Sequence, residues 1–240
     1  MSQPGVPIQP IQRLAALIEV VLTSGFPTQI ALIVALQGFG FALRTADGGL
    51  NPTFIFTLSL LDAALIILLV LFFLRSHRES AREVLLGRRP PLREAALGVA
   101  LIPAIFLTVV LILAALLTFA PWLHNVPRNP LEDLLTTRRD ALIFAAVVMI
   151  AGGLREEVQR GFILHRFGQY LGGMHVGVVA HSVVFGLGHI DQGYDAAIAT
   201  GILGLIWGLI FIARRSIVAP VVSHAGFNLL QLVKFLVGIR

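Results

Sequence analysis

Apolar residues fill most of the chain in long runs, and the polar positions fall between them or stand alone inside them. Residues 11–24 are apolar but interrupted by Arg13 and Glu19 and are short for a bilayer crossing, so an interfacial or re-entrant helix is expected there. Gly25 and Pro27 break it, and residues 28–43 carry the first expected span. A second span covers 53–74, with the single acid Asp62 near its middle. A third covers 95–119, where Pro103 predicts a kink. The connector PWLHNVPRNPLEDLLTTRRD follows, then a long helix from Asp140 to Arg166, and spans at 174–190, 196–212 and 216–237. The pattern predicts an all-α, polytopic transmembrane bundle of seven to eight helices in one domain, 1–240, with a polar cavity inside the membrane. No internal repeat stands out.

Composition agrees with that reading. The chain is 57% hydrophobic and 13% charged, with a mean hydropathy of +0.88. Such a balance excludes an ordinary soluble domain. The formal charge of +5 comes almost wholly from arginine, and in a membrane protein basic residues report orientation before they report nucleic acid; no nucleic-acid partner is expected. The loop 75–93 holds Arg75, Arg78, Arg82, Arg88, Arg89 and Arg93 and is expected to face the cytoplasm, with Arg214 and Arg215 on the same side. The absence of cysteine removes disulfides, thiolate metal sites and a thiol nucleophile. The first dozen residues lack the features of a cleaved signal, so the mature chain is expected to begin at residue 1.

Charges inside apolar helices are the candidate chemistry. A charge at mid-bilayer costs roughly 2.5–3.5 kcal/mol on insertion scales, so the run REEVQRGFILH, residues 155–165, needs pairing, water or a purpose. Anchoring at the lipid headgroups is the bland account of these arginines. On a helix Arg160 lies one turn from Glu156 and three residues from Glu157, so its guanidinium can reach either; the expectation is that it fixes one oxygen of Glu156 and leaves the other for water. Asp62 is expected to hold a neighbouring helix. Two further pairs share helix faces: Phe185 with His189, and His224 with Asn228. Together they could bring a base, proton carriers and amide donors into one bundle interior.

REEVQRG, the F-x-x-x-H of Phe185 to His189 and the H-x-x-x-N of His224 to Asn228 resemble, in order, the three motifs of the CAAX-protease and bacteriocin-processing family of intramembrane proteases, over residues 140–238. The resemblance implies a glutamate-activated water that cuts a peptide bond of a membrane-bound, prenylated or otherwise lipidated polypeptide. It assigns Glu156 as the base, Glu157 as its neighbour, Arg160 as the orienting charge, His189 as the water's assistant, and His224 with Asn228 as the oxyanion site. Phe185 is assigned to substrate contact. No obligatory cofactor is implied; zinc stays open, with Glu156, His189 and His224 as the three ligands, although no H-E-x-x-H helix is present. Thus both a glutamate protease and a metalloprotease fit.

One departure matters. The family pattern places three residues between the second glutamate and the arginine, where this chain has only Val158 and Gln159. Aligned from the glutamates, Glu156 takes the first glutamate position; aligned from Arg160-Gly161, Arg155 takes it and Glu156 the second. A non-catalytic scaffold or immunity-type homologue, and a proton-coupled carrier using Asp62 and the histidines, are the alternative functions. The cavity is expected to be lined by Glu156, His189, His224 and Asn228 and to open toward the 75–93 side.

Overall fold

The structure is a computed structural model that describes residues 8–135 and 137–236. Residues 1–7, where the sequence start was considered, and 237–238, the end of the last expected span and motif segment, lie outside the described residues. Nine α-helices make up the described chain: α1 (Pro10–Leu22), α2 (Phe26–Gly38), α3 (Pro52–Ser76), α4 (Pro91–Phe119), α5 (Arg138–Val147), α6 (Glu156–Tyr170), α7 (Met174–Leu187), α8 (Tyr194–Arg214) and α9 (Val218–Leu236). The all-α bundle is the expected fold. The long helix expected at 140–166 is α5 and α6 joined through a π-helical segment, Val148–Arg155.

By length and hydropathy alone, fewer helices qualify as full spans than the apolar runs suggested. Among the described residues three helices, α3, α4 and α8, are long and apolar enough to cross a bilayer, and a fourth crossing exists if α1 and α2, bent by 45° at their break, count as one. Seven spans are expected with an interfacial first helix and eight with it inserted. The difference is length and charge: α7 has 14 residues, about 21 Å of helix, short of the ~30 Å hydrocarbon layer, and α5–α6 carries the charged cluster. The apolar helices make this an integral membrane protein.

Local sequence explains the ends of these helices. Proline opens α1, α3 and α4, where its missing N–H costs no helical bond. Asn51 caps α3 by accepting from the Thr53 amide at 3.1 Å, and Thr137 and Asp140 form a reciprocal capping box at the start of α5. Gly25 takes a φ of 92° at the α1–α2 break, a left-handed conformation natural to glycine.

The core follows the motif helices. Ile66, Val70, Leu74, Val158, Phe162, Leu164, Phe211 and Ile217 form one buried cluster around α6. Trp207, Ile105, Leu203 and Phe227 form another between α4, α8 and α9. Arg89 Nε donates to the Arg214 carbonyl at 3.1 Å and the Ile217 amide to the Leu85 carbonyl at 2.8 Å, so the 75–93 loop and the 214–215 turn share one end of the bundle. The 121–135 connector follows the far end of α4 and lies at the other.

Candidate active site

A π-helical turn carries one residue more than an α-turn and commonly marks a functional site. Here that segment runs directly into Glu156. Its Gly152 and Gly153 let α9 approach. A Cβ at Gly153 would lie 2.8 Å from the Ala225 methyl, and one at Gly152 would lie 2.6 Å from the Asn228 amide nitrogen. α9 thereby carries His224 and Asn228 against the start of α6.

Glu156, Phe185, His189, His224 and Asn228 line one cavity of about 550 Å³. This is the size of a small-ligand or short-peptide pocket. Three helices that the sequence separates by tens of residues therefore meet at one site. Glu157 and Arg160 sit behind its wall. Both are buried, and Arg160 donates to Glu157.

That pairing corrects one expectation. Arg160 was expected to fix Glu156, but its guanidinium is bound to Glu157, three residues away, while Glu156 keeps its carboxylate toward the cavity. The reason is the direction of each side chain: Glu157 points into the packed interior with Arg160, and Glu156 is turned about 100° from it. Arg160 also lies over the Phe185 ring, 4.9 Å from its centroid, and near Trp207 at 5.7 Å. Those aromatic faces attract the cation and help hold it out of water.

Glu157 has a second partner. His224 Nδ1 lies 2.8 Å from its carboxylate, and His224 Nε2 stands 3.7 Å from Glu156. The imidazole is stacked on Trp207, with ring centroids 3.7 Å apart and 16° between planes. Trp207 in turn donates to Ser223 Oγ at 3.2 Å. A carboxylate on Nδ1 and an indole face fix the ring and leave Nε2 for the cavity. His189 is set in a similar way. Its Nδ1 donates to the Phe185 carbonyl at 2.8 Å, so the proton resides on Nδ1 and Nε2 is an acceptor in the neutral ring.

Three features were not read from the sequence. Arg155, which takes the first glutamate position in one of the two alignments and for which headgroup anchoring was the bland account, is buried and donates to Asp62 on α3 at 2.5 Å; Thr28 on α2 donates to the other Asp62 oxygen at 2.6 Å. Asp62 therefore has the helix-holding role expected of it. Trp207 gave only an apolar signal. The connector end of the cavity is the third: His124 Nδ1 bonds Asp195 at 2.7 Å, Asn125 accepts from the Tyr194 amide at 2.8 Å, and Asn129 donates to Gln192 at 3.2 Å. His124, Asn129, Gln192 and Asp195 line the cavity, and no residue of 75–93 does.

The cavity expected to open toward 75–93 is thus lined at the connector end and not by that loop. At the 75–93 end the bundle is closed by ion pairs. Arg166 donates to Glu19 at 2.5 Å and to Glu79 at 2.6 Å, and Arg214 to Glu94 at 2.5 Å. Glu79 lies in the loop beyond α3. Burial alone would raise its pKa, but hydrogen bonds from His165, Arg166 and Gln169, with the Arg166 charge, outweigh it and hold the carboxyl down at about 2.

Residues 138–230 match the family model of the type II CAAX prenyl endopeptidase Rce1-like proteins. Over these residues, less than half of its length, the chain is similar to the CAAX protease family. No curated protein and no solved structure matches the chain. The match takes in all three motifs and leaves α1–α4 outside. The two possible alignments to that family converge on one geometric fact: Glu156 is the motif glutamate that lines the cavity. Among the described residues no group of three or more His, Asp or Glu side chains is arranged to hold a metal ion. Glu156, His189 and His224 share a cavity wall without forming a ligand set, and no step through a metal is derived.

Proposed function

We propose that the protein is an intramembrane endopeptidase in which Glu156 activates water. The observation that carries this reading is the meeting of Glu156, His189, His224 and Asn228 on one cavity wall, with the Glu157–Arg160 pair behind them. Glu156 takes a proton from a cavity water that His189 Nε2 helps to orient, and the hydroxide adds to the carbonyl carbon of the scissile peptide bond. His224, carrying at Nε2 a proton taken up from cavity water before the substrate reacts and kept through the cycle, and the Asn228 amide donate toward the oxyanion. The carbon–nitrogen bond then breaks, and the proton held by Glu156 passes to the leaving amine. No resident metal is needed for these steps.

The substrate in this reading is a membrane-bound polypeptide carrying a prenyl or other lipid chain. Two features support it: the cavity lies among apolar helices, and the matched family is described as prenyl endopeptidases. By the positive-inside rule the six-arginine loop faces the cytoplasm, which puts the connector end of the cavity on the other side. The test uses purified protein in liposomes with a farnesylated and an unmodified C-terminal peptide. Cleavage of the farnesylated peptide, lost in Glu156→Gln, is the expected result. Cleavage that survives Glu156→Gln, or none of either peptide, contradicts the reading.

A further inference from the structure

The matched segment does not by itself fix how α6 is turned about its axis. One residue of rotation is about 100°, enough to replace Glu156 by a neighbour at the cavity wall. Three polar side chains of this helix settle its rotation, and all three lie on one stripe. At about 100° per residue, residues 155, 159 and 166 fall within roughly 40° of each other. Glu156, Glu157 and Arg160 fall at about 100° or more from Arg155.

Each member of the stripe ends on the N-terminal part of the chain. Arg155 donates to Asp62 on α3 at 2.5 Å, and Thr28 on α2 holds that carboxylate's second oxygen. Gln159 donates to the carbonyl of Thr23, at the α1–α2 break, at 2.7 Å. Arg166 donates to Glu19 on α1 at 2.5 Å. The Arg155 guanidinium lies against Gly25, where a Cβ would collide with it, so the break is shaped around this arginine. All of these side chains are buried, which makes a lost partner costly and the register firm.

We infer that α1–α3 act as a rotational clamp on the site helix, and that Arg155, Asp62, Thr28 and Gln159 are positioning residues that keep Glu156 on the cavity wall. Asp62 lines the same cavity beside Glu156, so the clamp and the reactive carboxylate share one wall. The bond to Asp62 also gives Arg155 a role independent of the glutamate pattern it departs from. The consequence for activity rests on the peptidase reading above; the consequence for rotation does not.

The absence of cysteine allows a direct measurement of rotation. Glu156→Cys and, as a reference just beyond the end of α7, His189→Cys are each made in the native chain and in an Asp62→Asn/Arg155→Gln background, which removes both buried charges together. Labelling by a small aqueous methanethiosulfonate is followed, with thermal melts. With the clamp cut, the Glu156→Cys rate should fall about tenfold relative to the His189→Cys rate, as a thiol leaving the cavity wall would. In parallel, the double variant with Glu156 intact should lose about 100-fold in kcat for the farnesylated peptide with little change in KM, the effect of misplacing a reacting group by about 1 Å. An unchanged labelling ratio in a folded double variant overturns the clamp. Should that background fail to fold, Thr28→Val, which keeps both charges, decides: a fall of about threefold supports the clamp and an unchanged ratio overturns it. A shifted ratio without any cleavage, in variant or native chain, keeps the clamp and rejects the peptidase.

Discussion

The two ends of α6 carry similar residues in opposite conditions. At its start Glu156, Glu157 and Arg160 meet His224; at its end His165, Arg166 and Gln169 meet Glu19, His77 and Glu79. In the second cluster both carboxylates are cross-linked. Glu19 accepts from His77 and Arg166, and Glu79 from His165, Arg166 and Gln169. Such a network ties α1, the post-α3 loop and α6 into one piece and leaves both carboxylates off the lining of the cavity that Glu156 faces. In the first cluster the partners divide unequally. Glu157 takes both Arg160 and His224, and Glu156 is left beside a space of about 550 Å³. Charge burial alone does not distinguish reactivity from structure; what distinguishes these clusters is a carboxylate held at a wall with room for water and substrate.

The comparison can be broken at several points. The largest effect is expected from Arg160→Ala, which strands the buried Glu157 charge and should cost about 3–5 kcal/mol in a thermal or denaturant melt and abolish cleavage. Arg166→Ala should cost about 3 kcal/mol, since Glu79 keeps some contact with water, and should lower kcat per folded molecule far less than Arg160→Ala does, because Arg155 and Gln159 still hold the rotation of α6. A large kcat loss there would erase the distinction between the two ends. Acid titration sharpens it. Because the Glu79 carboxyl is lowered from 4.5 to about 2 in the folded protein, its contribution is complete above about pH 4.5 and is lost as the pH falls toward 2. Glu79→Gln should flatten the stability profile within that window. The smallest effect is expected from His77→Gln: this half-exposed partner of Glu19 should contribute under about 1 kcal/mol.

Much of this was legible from the sequence because membrane helices announce themselves by length and hydropathy. The order of the helices and the meeting of Glu156 with His189, His224 and Asn228 follow from apolar runs and three spaced motifs. The choice of partner for Arg160 was not legible. Both glutamates are within one turn of it, and the π-helical segment, which sets how α6 leaves α5, has no sequence signal beyond Gly152 and Gly153. Arg155 with Asp62 was hidden for a different reason: the two are 93 residues apart, and each had a plausible account alone. The cavity's direction was misread because it depends on which end is sealed, and the seal is built from Glu19, Glu79 and Glu94 on three separate elements.

The central claim is that Glu156 is the base and Glu157 holds His224 and Arg160 in place. The direct measurement is single-turnover cleavage of the farnesylated peptide by Glu156→Gln and Glu157→Gln, each with a thermal melt. The account predicts that Glu156→Gln melts near the native temperature and shows no cleavage, while Glu157→Gln melts lower and keeps measurable turnover. A dead Glu157→Gln beside an active Glu156→Gln would contradict it and move the base to the neighbouring carboxylate.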